Sequence, residues 1–201
     1  MFKKFQSLLS ENFLFLKDKK LLLATSGGID SMVMVDLFHK LHYKIAIAHC
    51  NFQLRNAESF EDEKFVVDYA HKHNIPIYTT KFDTQAFAND YKLSIQLAAR
   101  ELRYHWFDEL LEDENYDYIL TAHHTDDNLE TFLINLSRGT GLEGLTGIPE
   151  QNDQVIRPLL HFSRIEIEAY AQDNKIEWRE DSSNASDKYL RNKIRHDLVP
   201  L

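Results

Sequence analysis

Leu21-Leu22-Leu23-Ala24-Thr25-Ser26-Gly27-Gly28-Ile29-Asp30-Ser31 is an apolar run that stops on two adjacent glycines and resumes as a helical pattern, Met32 to Leu41. A short, unbroken apolar run closed by a turn signal reads as a strand buried on both faces. The glycines let backbone N–H groups crowd around an anion, and the helix N-terminus behind them adds its dipole. Ser26 and Ser31 offer hydroxyls to phosphate oxygens. Asp30 suits a phosphate only with a cation between them, and magnesium binds in that way, through a carboxylate together with phosphate oxygens. The stretch is neither a Walker A loop nor a dinucleotide Gly-x-Gly-x-x-Gly. The plain alternative is a tight turn with a Ser/Asp helix cap.

Outward from this stretch, short apolar runs alternate with helical patterns. Lys44–His49 reads as a second strand, Ile75–Tyr78 starts a third, Tyr118–Leu120 is a fourth and Gln154–Leu160 a fifth. Pro76 places the third at an end or edge. Ser59 with Asp62 resembles a capping box opening a helix to His73. Further helices are expected over Gln96–Leu111, Asp126–Leu136 and Ser163–Asn174, with a short extended piece at Ile176–Trp178. Phe2, Phe5, Leu8 and Leu9 recur at helical spacing, so residues 1–20 hold an amphipathic first helix. The expected fold is α/β: a doubly wound, mostly parallel five-stranded sheet of the Rossmann-like kind with helices on both faces. Ligands of such sheets bind outside the carboxyl ends of the strands. Ser26, His49 and His123 each stand at or just beyond a strand's end.

A second constellation is Thr121-Ala122-His123-His124-Thr125-Asp126-Asp127-Asn128-Leu129-Glu130-Thr131. On its helix Leu129, Phe132, Leu133 and Leu136 form an apolar stripe, expected to face the core. Asp127 and Glu130, three apart, share another face. Two carboxylates there suit an ammonium group or a metal. Acidic residues also favour a helix's first turn, and two histidines beside two carboxylates also fit a metal-hydrolase site. Arg138–Pro149 holds four of the six glycines, as a loop closing over substrate or an irregular connection. Asp181-Ser182-Ser183-Asn184 reads as a turn and cap. Arg191-Asn192-Lys193-Ile194-Arg195-His196 suits phosphate, or is a solvated helix.

Composition bounds the function. The chain has 201 residues, 43% of them hydrophobic, and a net charge of −9, which argues against a general nucleic-acid coat. Residues 157–201 carry 8 basic and 8 acidic side chains, so a local basic patch remains available there. The one cysteine, Cys50, excludes a disulfide framework or a cluster held by several thiolates. No apolar run approaches the roughly 18 residues of a membrane span. Glu11 and Asn12 interrupt the apolar start, and no small-residue cleavage site follows. A cytoplasmic protein is expected.

Ser-Gly-Gly-x-Asp-Ser after the first strand resembles the pyrophosphate loop of the N-type ATP pyrophosphatases. More specific is an ordered series: His-x-x-Asp-Asp-x-x-Glu-Thr from His123, Arg-Gly-x-Gly-x-x-Gly-Leu-x-Gly-Ile-Pro from Arg138, Arg-Pro-Leu-Leu from Arg157, Asp-x-Ser-Asn from Asp181 and Arg-Asn-x-x-Arg from Arg191. That series is similar to the lysidine synthase family, as are Ala48-His49-Cys50-Asn51 and Ala99–Tyr104. Phe52 departs from it, standing where a histidine is common.

The resemblance implies an adenine nucleotide alpha hydrolase type of fold and one catalytic domain over 1–201, with a tail over 161–201. Family members usually carry further tRNA-binding domains after a segment like His196–Leu201, so the chain corresponds to the catalytic part. The implied reaction uses ATP and magnesium to adenylate the wobble cytidine of an isoleucine tRNA with a CAU anticodon. Free L-lysine then displaces AMP. Ser26, Gly27, Gly28, Ile29, Asp30, Ser31 and His49 fall to ATP, with Asp30 also on magnesium. Asp127 and Glu130 fall to lysine, and His123 joins Asp30, Asp127 and Glu130 as catalytic. Arg100, Arg103, Arg191 and Arg195 would face nucleotide or RNA. The rival readings are a sulfur-transfer tRNA enzyme, which generally needs two cysteines or a cluster, a small-molecule amidating synthetase, and a non-catalytic nucleotide-binding module.

Overall fold

In the structure, a computed structural model describing residues 1–55, 57–139, 141 and 146–180, the chain starts as helix α1 (Phe2–Asn12) and one 3-10 turn, Leu14–Leu16. Phe5 and Leu9 of α1 are buried, so the amphipathic spacing finds its core. There follow β1 (Lys20–Ala24), α2 (Ile29–Lys40), β2 (Lys44–Asn51), α3 (Ala57–Lys72), β3 (Ile77–Lys81), α4 (Thr84–Tyr91), α5 (Ile95–Asp113), β4 (Tyr118–Leu120), α6 (Thr125–Ser137), β5 (Gln151–Asn152), β6 (Val155–Ile156) and α7 (Arg164–Asp173).

The strands form one sheet in the order β3-β2-β1-β4-β6-β5. Every pairing is parallel except the β5–β6 hairpin. Leu22 registers with Ala46 on one side and Ile119 on the other. Alternation along β1 splits the core: Leu21 and Leu23 join α1, α2, α3 and α7 on one face, while Leu22 meets Phe107, Leu110 and Leu111 of α5 on the other. The chain lays strands outward from β1 to β3 and then returns to start again at β4. That reversal puts the topological switch point between β1 and β4.

The sheet has six strands rather than the expected five. The expected strand over Gln154–Leu160 shrinks to Val155–Ile156, because Asp153, at φ 51°, turns the chain into a hairpin with β5. Pro76 flanks the edge strand β3, where its missing N–H is harmless and its carbonyl accepts from Ile47 N at 2.8 Å. Ser59 does not cap α3; it lies inside that helix, and its hydroxyl accepts from Arg55 N. Ile176–Trp178 forms no strand. The largest correction concerns α6. Of its expected apolar stripe, Leu129 and Leu136 are 42% and 53% exposed and Phe132 and Leu133 only half-buried, while Asp127 and Glu130 are the buried residues of the helix. No helix among the described residues is long and apolar enough to cross a membrane.

Candidate active site

The loop after β1 lies at the switch point and leads directly into the N-terminus of α2. Thr25 is tied down at both ends: its N–H donates to Ala48 O at 3.0 Å, and its carbonyl accepts from His49 Nδ1 at 2.9 Å. Gly27 then adopts φ +95°, where a Cβ would be strained and would lie 3.3 Å from Val66 Cγ2. Gly28 caps α2, its N–H 3.2 Å from Ser26 Oγ. Ser31 Oγ donates to Gly28 O at 2.8 Å. Ile29, buried beneath the turn, anchors the first residue of the helix. The dipole of α2 is thereby aimed at whatever the loop holds.

α6 begins beside α2 and delivers the second half of the site. His123 is oriented by Thr121, with Oγ1 and Nδ1 2.9 Å apart. Asp127 reaches back to cap its own helix, Oδ2 accepting from His124 N at 3.1 Å. The buried His124 ring lies among carboxylates, with Nε2 3.8 Å from Asp30 and 3.5 Å from Asp127. Glu130, one turn on, is completely buried on the same face.

Arg164 closes this arrangement from α7. Its Nη1 donates to Asp30 Oδ1 at 2.9 Å and Oδ2 at 2.7 Å, its Nε to Glu168 at 2.7 Å, and its backbone N–H to Asp126 Oδ2 at 2.7 Å. Burial pushes the Asp30 carboxyl above its usual range; His124 and Arg164 pull it down, and Asp127 pushes it further up. Asp30, half-buried beside Asp127, keeps part of its carboxylate accessible from the cavity. A hard cation sharing one or two carboxylates with phosphate oxygens fits these donors, so magnesium is compatible with Asp30. Among the described residues no cluster of three or more His, Cys, Asp or Glu forms a metal cage of its own.

Between β1, β2, β4 and α5 lies a cavity of about 300 Å³ lined by Ser26, Asp30, Ser31, Arg103, His123 and Asp127, among others. Phe52 and Phe107 supply apolar wall. Phe52 stacks on Phe82 and carries the Arg103 guanidinium 5.3 Å above its ring. The volume sits at the small end of ligand pockets.

The expected site residues therefore distribute unevenly. Ser26, Asp30, Ser31, His123, Asp127 and Arg103 meet in the cavity, and Gly27, Gly28 and Ile29 form the turn beside it. His49 supports the loop from behind, and burial pushes its ring pKa down. Arg100 stacks 4.6 Å over Tyr104 and lines a different cavity. Arg191, Arg195 and Asp181–Asn184 lie outside the described residues. Within the glycine-rich span, Asn128 Oδ1 accepts from Ile148 N at 2.6 Å, and a Cβ on Gly147 would strike that oxygen. The sequence reading missed Arg164 and Arg179. Arg179 donates its N–H to Gly27 O at 3.0 Å while its side chain pairs with Asp62 and Glu61. For Arg164 a signal existed: a basic residue in a helix's first turn opposes the dipole and needs another reason to be there.

A family model described as a PP-loop domain matches residues 1–201. The chain is 46% identical over 185 residues to a tRNA(Ile)-lysidine synthase of Porphyromonas gingivalis, covering 92% of this chain and 41% of that protein. It is 42% identical over 203 residues to one of Chlorobaculum tepidum, covering 99% and 61%. The chain thus spans about half the length of the curated relatives it matches. Among solved structures, the U34-tRNA thiolase NcsA of Methanococcus maripaludis with its 4Fe-4S cluster superposes with a TM-score of 0.78 at 15% identity, covering 97% of this chain and 70% of that one. The NH3-dependent NAD synthetase of Campylobacter jejuni superposes with a TM-score of 0.60 at 16% identity, over 88% and 74%. At such identities the two structures share the fold with this chain.

Proposed function

The chain belongs to the PP-loop domain family, and we propose that it joins free L-lysine to C2 of the wobble cytidine of an isoleucine tRNA with a CAU anticodon, in the cytoplasm, converting ATP to AMP and pyrophosphate. The observation that carries this reading is one cleft with two chemistries. A loop bearing Ser26, Asp30 and Ser31 shares its cavity with Asp127 of α6, and Glu130, one turn on and fully buried on the same face, stands behind Asp127 without lining the cavity.

That geometry supports the following division of labour. The N–H groups at Gly27 and Gly28 and the hydroxyls of Ser26 and Ser31 receive the pyrophosphate end of ATP. Asp30 would hold magnesium, which when bound would stabilise the charge that moves onto pyrophosphate. Adenylation joins the cytidine 2-oxygen to the α-phosphorus and breaks its bond to the bridging oxygen, so pyrophosphate leaves. The ε-amine of lysine then attacks C2, the C2–oxygen bond breaks, AMP departs, and the amine proton goes to solvent or a neighbouring base. Asp127 and Glu130 hold the α-ammonium of lysine, which leaves its uncharged ε-amine free to react. His123, fixed by Thr121, and Arg103, stacked on Phe52, face the nucleotide. Cys50, whose thiol burial pushes up to about 12, is a poor carrier of sulfur.

The test is product identity. The chain incubated with ATP, magnesium, lysine and the CAU-anticodon tRNA should yield a lysine-modified cytidine on digestion and mass spectrometry. A thiolated nucleoside, or an amidated small molecule with ammonia as donor, would overturn the reading.

A further inference from the structure

Arg157 is 6% exposed, and among the described residues no carboxylate lies within ion-pair distance of it. Its Nη1 donates to Pro149 O at 2.8 Å, and its buried Nε donates to nothing. An arginine cannot lose its proton to escape burial. A buried guanidinium facing only a carbonyl dipole is therefore short of an anion.

The shortage has a place to be met. Arg157 lines a cavity of about 400 Å³ between α5 and the β5–β6 hairpin. Across it stands Arg100, its guanidinium stacked on Tyr104. This cavity is distinct from the one at the switch point, for the two share no lining residue. Arg103 lines the first and Arg100 the second, one helical turn away, about 5–6 Å between their Cβ atoms.

We propose that Arg157 and Arg100 form a second anion site that takes a backbone phosphodiester of the RNA strand whose target nucleotide enters the first cavity. The proposal rests on the RNA-modifying function proposed above. Three exposed acids, Glu101, Asp108 and Asp153, rim the same cavity. They disfavour a free phosphate dianion. They accept hydrogen bonds from ribose 2′-hydroxyls and base amino groups, which an RNA strand brings with its singly charged phosphate. The chain's net charge of −9 makes such a local pair of arginines a way to bind RNA without a basic surface. The guanidinium forks match phosphate oxygens bidentately.

The test measures binding of the CAU-anticodon tRNA by fluorescence anisotropy over a salt series, for the wild type, Arg157→Lys and the surface variant Arg100→Gln. Loss of one phosphate contact weakens binding severalfold and lowers the salt slope by about 0.7–0.9. ATP binding in the first cavity, followed in the same samples, should be unchanged. Arg100→Gln reports on the site even if Arg157→Lys fails to fold. Wild-type RNA affinity and salt slope in Arg100→Gln would overturn the second site and leave the proposed function standing. Inorganic phosphate bound in an Arg100-dependent way, with RNA binding unaltered, would make it a free-anion site and overturn the RNA assignment. A wild type that binds no RNA would overturn both readings.

Discussion

Nη1 of Arg164 lies 2.9 Å from one oxygen of Asp30 and 2.7 Å from the other. The two residues are 134 apart in sequence, one in the first turn of α7 and the other in the first turn of α2. The contact joins the segment after the sheet to the phosphate-ready loop at its start. Arg164 thereby orients Asp30 and, with His124, partly offsets the burial that pushes its carboxyl above the usual range.

Breaking that contact should be felt in stability. The pair is partly exposed, so its loss falls between the values for surface and buried ion pairs, about 1–3 kcal/mol. Arg164→Gln should lower the urea midpoint accordingly. In a double-mutant cycle with Asp30→Asn the coupling should be about 0.5–3 kcal/mol. Strict additivity would show that the two side chains act independently.

His49 gives a pH signature. Burial pushes its folded-state pKa below the ordinary 6.5, so the unfolded chain takes up a proton that the folded chain refuses. Stability should therefore fall as pH drops from about 6.5 through the folded-state pKa, by at most about 1.4 kcal/mol per pH unit from this group. The wild type minus His49→Gln difference, from denaturant midpoints at pH 7 and pH 5, should show that loss. A pH-independent difference would mean that His49 titrates alike in both states.

Cys50 should be chemically quiet. Its thiol, pushed up to about 12 by burial, is almost wholly protonated near neutrality, and the thiolate is the reactive form. Iodoacetamide should label the unfolded protein rapidly and the native protein slowly, and Cys50→Ala should retain tRNA-dependent pyrophosphate release. Loss of that release in a folded Cys50→Ala would return sulfur transfer to consideration.

What the sequence disclosed, and what it withheld, divides by range. β1, β2 and β4 were legible because buried parallel strands are short unbroken apolar runs, and the turn at Gly27–Gly28 because two glycines interrupt one of them. Helix α4 was missed although Asp83 caps it, accepting from Ala86 N; eight residues give too little periodicity to stand out. The β5–β6 hairpin has two residues per strand, below any pattern. On α6, spacing showed that Asp127 and Glu130 share one face and Leu129 and Leu136 another. Spacing does not say which face turns inward, and Leu129 and Leu136 are exposed where a core position was expected, with Phe132 and Leu133 half-buried. Arg164 and Arg179 act through contacts more than a hundred residues away, which no local pattern encodes.

The outward leucines make a contrast within one helix. Leu129→Gln removes a side chain 42% exposed, and its effect on stability should stay within about 0.5 kcal/mol. Gly147→Ala should cost more, because φ +75° is strained for any other residue and the new Cβ would run into Asn128 Oδ1. Thermal denaturation ranks the two, and a larger loss from Leu129→Gln would contradict the orientation of α6.

The central claim is that one cleft separates activation of the tRNA from capture of the amino acid, the loop at Ser26–Ser31 serving the first and Asp127 with Glu130 the second. The most direct measurement follows tRNA-dependent pyrophosphate release and lysine incorporation together, as functions of lysine concentration, in Asp127→Asn and Glu130→Gln. Losing one partner of a buried charge pair costs about 2–5 kcal/mol, or roughly 30- to 5,000-fold in affinity. The account predicts a lysine requirement raised by that order, with lysine-independent pyrophosphate release close to the wild-type rate. Wild-type lysine dependence in both folded variants would contradict it and place the amino acid elsewhere.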